Sequence, residues 1–382
     1  MGLIYSVSVL FFTSMIFRMY LKKDIRPYMT SRVVTLLTIL GLLPYVNTVI
    51  IIATLGDAVV KFNEYRNLTK QERTDRMIES LQLIDLAMVL GISGGIDSTV
   101  VAAICHEVSK KTGIPLIGRS LPIKNKSDEF ATSVHVGEAF CNEFSVYRLE
   151  RSYRAALFDA CADAGDVNMA NSYYLDELEE MPSRTPIANG NLQARCRMMY
   201  LYDIASRHKG LVMSTDNQTE YQLGFWTIHG DVGDFDPIQD LWKTEVYELA
   251  EWLRMKYVKA NQGHADCYHD MGASQKEYAI TQSIALTPTD GLGISNSDLE
   301  QIGAKSYDEV DDILSRYIPF KEYRQKHGEP LHPHDEMAES DCWSQLCARH
   351  GEDVVNKVWS RHLASEFKRK KAPIYISREL YE

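Results

Sequence analysis

Residues Gly91 to Thr99 read Gly-Ile-Ser-Gly-Gly-Ile-Asp-Ser-Thr, and their types and spacing suit the binding of a phosphate chain. The apolar run Leu86–Leu90 before them reads as a buried parallel strand. Val100–Cys105 after them, small and apolar, opens a packed helix. A glycine-rich turn thus joins the carboxyl end of a strand to a helix N-terminus. There, close backbone approach, free N–H groups and the helix dipole all favour an anion. Ser93 and Ser98 add hydroxyl donors. Asp97 would repel phosphate unless a divalent cation stood between them, so the segment implies Mg2+ beside a nucleotide. The Walker loop is excluded, because no lysine stands at its position, and so is the Gly-x-Gly-x-x-Gly turn of dinucleotide-binding folds.

The segment resembles the PP-loop, Ser-Gly-Gly-x-Asp-Ser, of the ATP pyrophosphatase superfamily. Further motifs narrow the resemblance. Gly190-Asn-Leu-Gln-Ala-Arg-Cys-Arg-Met198 is similar to the Gly-Asn-x-x-Ala-Arg-x-Arg-Met helix of NAD synthetases. Ser214-Thr-Asp-Asn-Gln-Thr-Glu220 with Gly224-Phe225, Gly230-Asp-Val-Gly-Asp234, Asp240-Leu-Trp-Lys-Thr244, Pro288-Thr289, Tyr307-Asp-Glu-Val-Asp-Asp312 and Glu366-Phe-Lys-Arg369 resemble that family's later segments, in its order. The chain is identified as resembling the ammonia-dependent type of NAD synthetase from about Leu86 to Lys371.

The resemblance implies a reaction and roles. ATP adenylates the carboxylate of nicotinic acid adenine dinucleotide (deamido-NAD), releasing pyrophosphate, and ammonia then displaces AMP to leave the amide of NAD. The ATP-binding loop would run through Gly91, Ile92, Ser93, Gly94, Gly95, Ile96, Asp97 and Ser98, with Ser93, Gly94, Gly95 and Ser98 cradling the pyrophosphate. Asp97 and Glu220 would coordinate Mg2+. Thr215, Lys243 and Thr289 match ATP-contacting positions, and Arg195, Asp234 and Lys368 match positions for the deamido dinucleotide. Ser93, Asp97 and Asp231 are the candidate catalytic residues, Asp231 and Asp216 helping to seat ammonia. Asp308, Glu309, Asp311 and Asp312 read as surface or dimer-interface charges of a homodimer. Three departures weaken the dinucleotide side: Ile228 stands for a family lysine, Phe367 for a histidine and Ser120 for an arginine, with Arg119 one place earlier. Two alternatives remain: another PP-loop adenylating amidoligase, and a non-catalytic membrane-tethered nucleotide-binding protein.

Composition sets bounds around this chemistry. The chain of 382 residues carries a net charge of −11, which disfavours nucleic acid and anionic membrane as partners. Its seven cysteines lack framework spacing, which suits a reducing cytosol. His264-Ala-Asp-Cys-Tyr-His269 lacks four-ligand zinc spacing and reads as a polar loop. The region before Leu86 is too short and too apolar for a nitrilase-like glutaminase, so the nitrogen donor is expected to be ammonia, free or delivered by a separate protein.

Residues 1–56 are expected to form an apolar helical segment, a candidate membrane anchor, distinct from a catalytic region at 57–382. Leu3–Phe17 and Val33–Leu55 contain no acidic residue, and a spanning helix needs about 20 apolar residues. Basic residues between the two runs oppose the positive-inside rule for a hairpin. The readings left open are a membrane anchor, interfacial or re-entrant helices, helices buried against a partner subunit, and a true start downstream at Met29 or Met77. Membrane association is the favoured one.

The elements that must position the motifs alternate. A capped helix is expected over Thr69–Leu83, strands over Leu86–Leu90, Ile114–Leu121, Phe144–Leu149 and Gly210–Met213, and helices from Ser127, over Tyr153–Ala162 and over Asn191–His208. This pattern predicts an α/β fold, a doubly wound parallel sheet with helices on both faces. Ligands of such sheets bind beyond the carboxyl ends of the strands, which brings Ser93 and Thr215 to one crevice. Arg254–Ala285 is longer than in compact members and is expected to be a lid or an added surface element.

Overall fold

Alternating strands and helices close into a four-stranded parallel sheet of order β3-β2-β1-β4. In this computed structural model the described residues are 86–262, 271–288, 297–327 and 333–369. The strands are β1 Ala87–Gly91, β2 Leu116–Ser120, β3 Glu143–Val146 and β4 Gly210–Met213. Between β1 and β2 runs α1 (Ile96–Thr112), and between β2 and β3 runs α2 (Ser127–Phe140). Three helices, α3 (Glu150–Asp163), α4 (Leu175–Glu179) and α5 (Pro186–His208), lead back across the sheet to β4. Beyond β4 come α6 (Gln218–Leu223), α7 (Lys243–Gln262), α8 (Met271–Ala285), α9 (Asp298–Ile302), α10 (Tyr307–His327), α11 (Pro333–His350), α12 (Glu352–Ala364) and α13 (Glu366–Arg369).

Strand periodicity divides the core in two. Met88 and Leu90 of β1 face one way and pack with α1, α2, α7 and α8. Ala87 and Val89 face the other way and pack with α3 and α5. Right-handed crossovers explain the split: the chain moves outward from β1 to β3 and then returns past β1 to β4, so the helices between β3 and β4 fall on the face opposite α1 and α2. The doubly wound fold expected from the sequence is the fold observed. A third cluster, built by Leu223, Ile302, Val310, Ile313, Leu314, Leu346, Val355 and Val358, joins α6 to the C-terminal helices.

Several local expectations shift. Strand β2 is shorter than Ile114–Leu121, and β3 starts at Glu143 as a largely exposed edge strand. Helix α2 has Lys126 at its N-cap with no side-chain capping bond; Ser127 is its first helical residue. Helix α5 begins five residues before Asn191, because Thr185 caps it through Ala188 N–H and Pro186 fits its first turn. The described parts of Arg254–Ala285 are neither lid nor added surface. Tyr257, Ala273, Ala279 and Ile280 are buried, and α7 and α8 cover one face of the sheet over α1 and α2. The expected helix Thr69–Leu83, the readings of residues 1–56, and the segment His264–His269 lie outside the described residues. Among the described residues no helix is long and apolar enough to cross a membrane.

Candidate active site

The chain leaves β1 toward β2 and reaches β4 on the other side, so the carboxyl ends of β1 and β4 flank a topological switch point. The loop after β1 is shaped for an anion. Gly95 is the N-cap of α1 and no side chain caps that helix, which leaves its first N–H groups available. Ser93 Oγ accepts from Gly95 N–H at 3.2 Å and lies 2.9 Å from Ser98 Oγ, while Ser98 Oγ also donates to Gly95 O at 3.1 Å. Thr99 ties the first turn to α8 through a 2.7 Å contact with Ser283 Oγ. Helix α1 is buried along most of its length, from Ile96 to Ser109, which anchors the loop rigidly at its base.

Two glycines of the loop serve different ends. Gly94 has φ +92°, and a Cβ there would lie 2.4 Å from Glu129 O and 2.9 Å from Ser133 N, both backbone atoms of α2. At Gly95 a Cβ would meet only Ser93 Oγ, at 3.4 Å. Gly94→Ala is therefore expected to cost about 3 kcal/mol of stability. Gly95→Ala should stay within about 1 kcal/mol of wild type yet lose ATP affinity, because its methyl enters the phosphate seat. Thermal melts and calorimetric ATP titrations of both variants check this; a Gly95→Ala protein that binds ATP normally would remove the loop from the site.

The two carboxylates expected to hold Mg2+ meet Lys243 in one contact cluster. Lys243, the first residue of α7 and 1% exposed, donates to Asp97 Oδ2 at 2.5 Å and to Glu220 Oε1 at 2.9 Å. Burial alone would lower the Lys243 ammonium, but Asp97 and Glu220 outweigh it and hold the group well above its ordinary range. Burial and the neighbouring Asp97 push the Glu220 carboxyl up to about 7, against the opposite pull of Lys243. Asn217 aims both carboxylates: its Nδ2 donates to Asp97 Oδ1 at 2.9 Å, and its Oδ1 accepts from Glu220 N–H at 3.0 Å as the cap of α6. Glu220 answers through Asn217 N–H, a reciprocal capping box. Two hard carboxylate oxygens facing one point fit Mg2+, which commonly takes one or two protein carboxylates and completes its shell with phosphate and water.

A second acidic group lies beyond β4. Asp216 is buried, accepts from Ser214 Oγ at 3.1 Å, and is pushed well above the usual carboxylate range by burial and then by Asp231 and Glu220. Burial also raises Asp231, against the hydrogen bond from Thr227 N–H at 2.6 Å. Asp236 rises to about 7, again chiefly through burial.

The residues matched to the dinucleotide line the segment after α6. Arg195 donates through Nε and Nη2 to Ile228 O at 3.3 Å. Lys368 Nζ donates to the carbonyls of Gly224 (2.7 Å) and Trp226, with the Trp226 ring 5.5 Å away; burial lowers it, partly offset by Asp231. Asp234 is engaged with the sheet, accepting from Tyr202 OH and Val212 N–H at 2.9 Å each. Thr215 is half-buried just past β4. Thr289 lies outside the described residues.

One supporting residue escapes the sequence reading. Asp311, expected at the surface or a dimer interface, is buried within the chain: it accepts from Thr219 Oγ1 at 2.5 Å and from Thr244 N–H at 2.9 Å. Thr219 Oγ1 in turn accepts from Lys243 N–H at 2.8 Å. Asp311 thus fastens the start of α7, which carries Lys243, to the residue next to Glu220. Asp312 pairs within the chain, with Arg316, Arg349 and His350. Asn217 is a second such residue, whose signal was an Asn-x-x-Glu capping pattern within one turn; the role of Asp311 had no local signal.

The sequence model of the NAD synthase family matches residues 75–372. A protein of Chlorobium phaeobacteroides named NH(3)-dependent NAD(+) synthetase is 30% identical over 230 residues, 60% of this chain and 66% of its own length. One of the same name from Wolinella succinogenes is 26% identical over 329 residues, 84% of this chain and 97% of that protein. Among solved structures, NMN synthetase from Francisella tularensis shares the fold, with a TM-score of 0.54 and 23% identity over 81% of this chain and all of that one. The chain belongs to the NAD synthase family.

Proposed function

We propose that this protein is an ammonia-dependent NAD synthetase. The observation that carries the reading is the uncapped N-terminus of α1 beside the convergent Asp97–Glu220 pair at the switch point. A carboxylate is a poor acylating agent. Its oxygen attacks the α-phosphorus of ATP, pyrophosphate leaves, and a mixed anhydride with AMP forms. Ammonia then attacks the acyl carbon, AMP leaves with the bonding electrons, and the ammonium so formed loses a proton to give the amide.

The loop from Gly91 to Ser98 orients the phosphate chain, and Thr215, just past β4, is assigned to ATP with it. Asp97 and Glu220 would hold Mg2+, which neutralises charge on the phosphates. Arg195, Asp234 and Lys368 are assigned to deamido-NAD, and Asp216 with Asp231 to ammonia, where a raised carboxylate can accept the departing proton. No covalent protein nucleophile is needed; positioning and electrostatic stabilisation suffice.

Pyrophosphate release with candidate acids, with and without ammonium, tests the reading. Release that depends on deamido-NAD supports it. Release driven only by a different acid assigns another amidoligase, and ATP binding without release assigns a sensor. Ammonium salts are expected to support NAD formation, and glutamine with ammonia scavenged is not. NAD made from glutamine by the purified protein would overturn the donor assignment.

Residues 1–56 are assigned to membrane association, and the catalytic region to a homodimer. The full chain should partition with membranes or detergent, since apolar runs of that length exceed the few hundred Å² that soluble monomers expose. A chain starting near Asp57 should remain soluble, active and dimeric by sedimentation. A full chain that is monodisperse without detergent would refute the membrane assignment.

A further inference from the structure

The two carboxylates expected to hold Mg2+ already converge on a cation. Asp97 Oδ2 and Glu220 Oε1 face one point, and Lys243 Nζ fills it at 2.5 and 2.9 Å. A Mg2+ ion bound by those same two oxygens would stand about 2.1 Å from each, which is nearly the same place. An ammonium and a divalent ion cannot share it, because no anion would separate them. Lys243 is also built in rather than adventitious. It is 1% exposed, its N–H is held by Thr219 Oγ1 at 2.8 Å, and the Tyr307 ring lies 5.7 Å from its Nζ.

We propose that Lys243 is the resident counter-ion of the metal position, holding Asp97 and Glu220 in the absence of nucleotide and leaving it only when the phosphate chain of ATP offers other oxygens. The inference rests on reading the loop as an ATP and Mg2+ site. Two further observations make the exchange workable. Asn217 aims both carboxylates independently of Lys243, so the pair keeps its direction when the ammonium departs. With both carboxylates ionised, Asp97, Glu220 and Lys243 carry one net negative charge; exchange of the ammonium for Mg2+ removes it and frees a positive group for the incoming phosphates. Metal and nucleotide therefore load as a coupled pair, and free divalent metal meets an occupied position.

Mn2+ binding, followed by loss of the free-ion paramagnetic signal, tests this on the full chain. Wild type should bind Mn2+ weakly without nucleotide. Lys243→Met should bind it at least ~10-fold more tightly, since a cation at contact distance has been removed. A non-hydrolysable ATP analogue should tighten Mn2+ binding by a larger factor in wild type than in the variant. If Lys243→Met does not fold, Lys243→Gln supplies a neutral side chain that still donates to a carboxylate, and the same ordering is expected. A neutral variant that binds Mn2+ no more tightly than wild type without nucleotide overturns the proposal while leaving the ATP site intact. A wild-type protein that fails to bind Mn2+ even with the analogue removes the metal reading itself, and the proposal with it.

Discussion

Asp97→Ala is expected to lower pyrophosphate release by roughly 10²-fold or more, the loss typical of a removed electrostatic stabiliser. Asp97 is the single carboxylate within the phosphate loop, and its Oδ2 contacts the ammonium that also engages Glu220. The fold should survive. The Asp97 side chain is 17% exposed, and Lys243 keeps Glu220 as a partner. Asp97→Asn sharpens the test: it preserves size and a hydrogen bond with Asn217 but removes the charge, so it should be nearly as inactive as alanine. Steady-state pyrophosphate release with circular dichroism reads both properties. A variant retaining near-normal release would sink the metal-ligand assignment.

Asp311→Ala is expected to be the most destabilising of the substitutions around the site and to reduce activity as well. Removal of the carboxylate leaves the buried Thr219 hydroxyl and Thr244 N–H without their acceptor, a cost of about 3 kcal/mol. The folded fraction should lose about 10-fold in kcat, because a misplacement passed through Thr219 reaches Glu220 and Lys243 together. Asp311→Asn keeps an acceptor oxygen and should recover part of both losses. Asp312→Ala, which removes only partly exposed ion pairs, should cost about 1 kcal/mol and leave turnover unchanged. Urea melts and pyrophosphate release of the three variants separate these outcomes. Equal effects at 311 and 312 would show that Asp311 only stabilises the helical cluster.

Much of the site was legible because its information is local. The glycine-rich turn between an apolar run and a small-residue helix needs only about fifteen consecutive residues to specify a strand, an anion seat and a helix N-terminus. The alternation of strands and helices, with right-handed crossovers, then leaves few sheet orders open. The order of the motifs along the chain identified the family.

Tertiary structure alone decided which charges meet. Lys243 reaches Asp97 across 146 residues of sequence and Asp311 reaches Thr219 across 92, and no periodicity carries such distances. Matched to a family position, Lys243 was expected to contact ATP; its neighbours in the fold make it the partner of the Asp97 and Glu220 carboxylates. In sequence Asp311 and Asp312 are adjacent acidic residues, yet one is buried beneath α7 and the other faces Arg316, Arg349 and His350. Successive residues of a helix point about 100° apart, so the packing of α10 against its neighbours assigns one to the site and the other to the helical cluster. The segment 254–285 follows the same logic: its length suggested an addition, and only the burial of Tyr257, Ala279 and Ile280 against α1 and α2 made its helices part of the core.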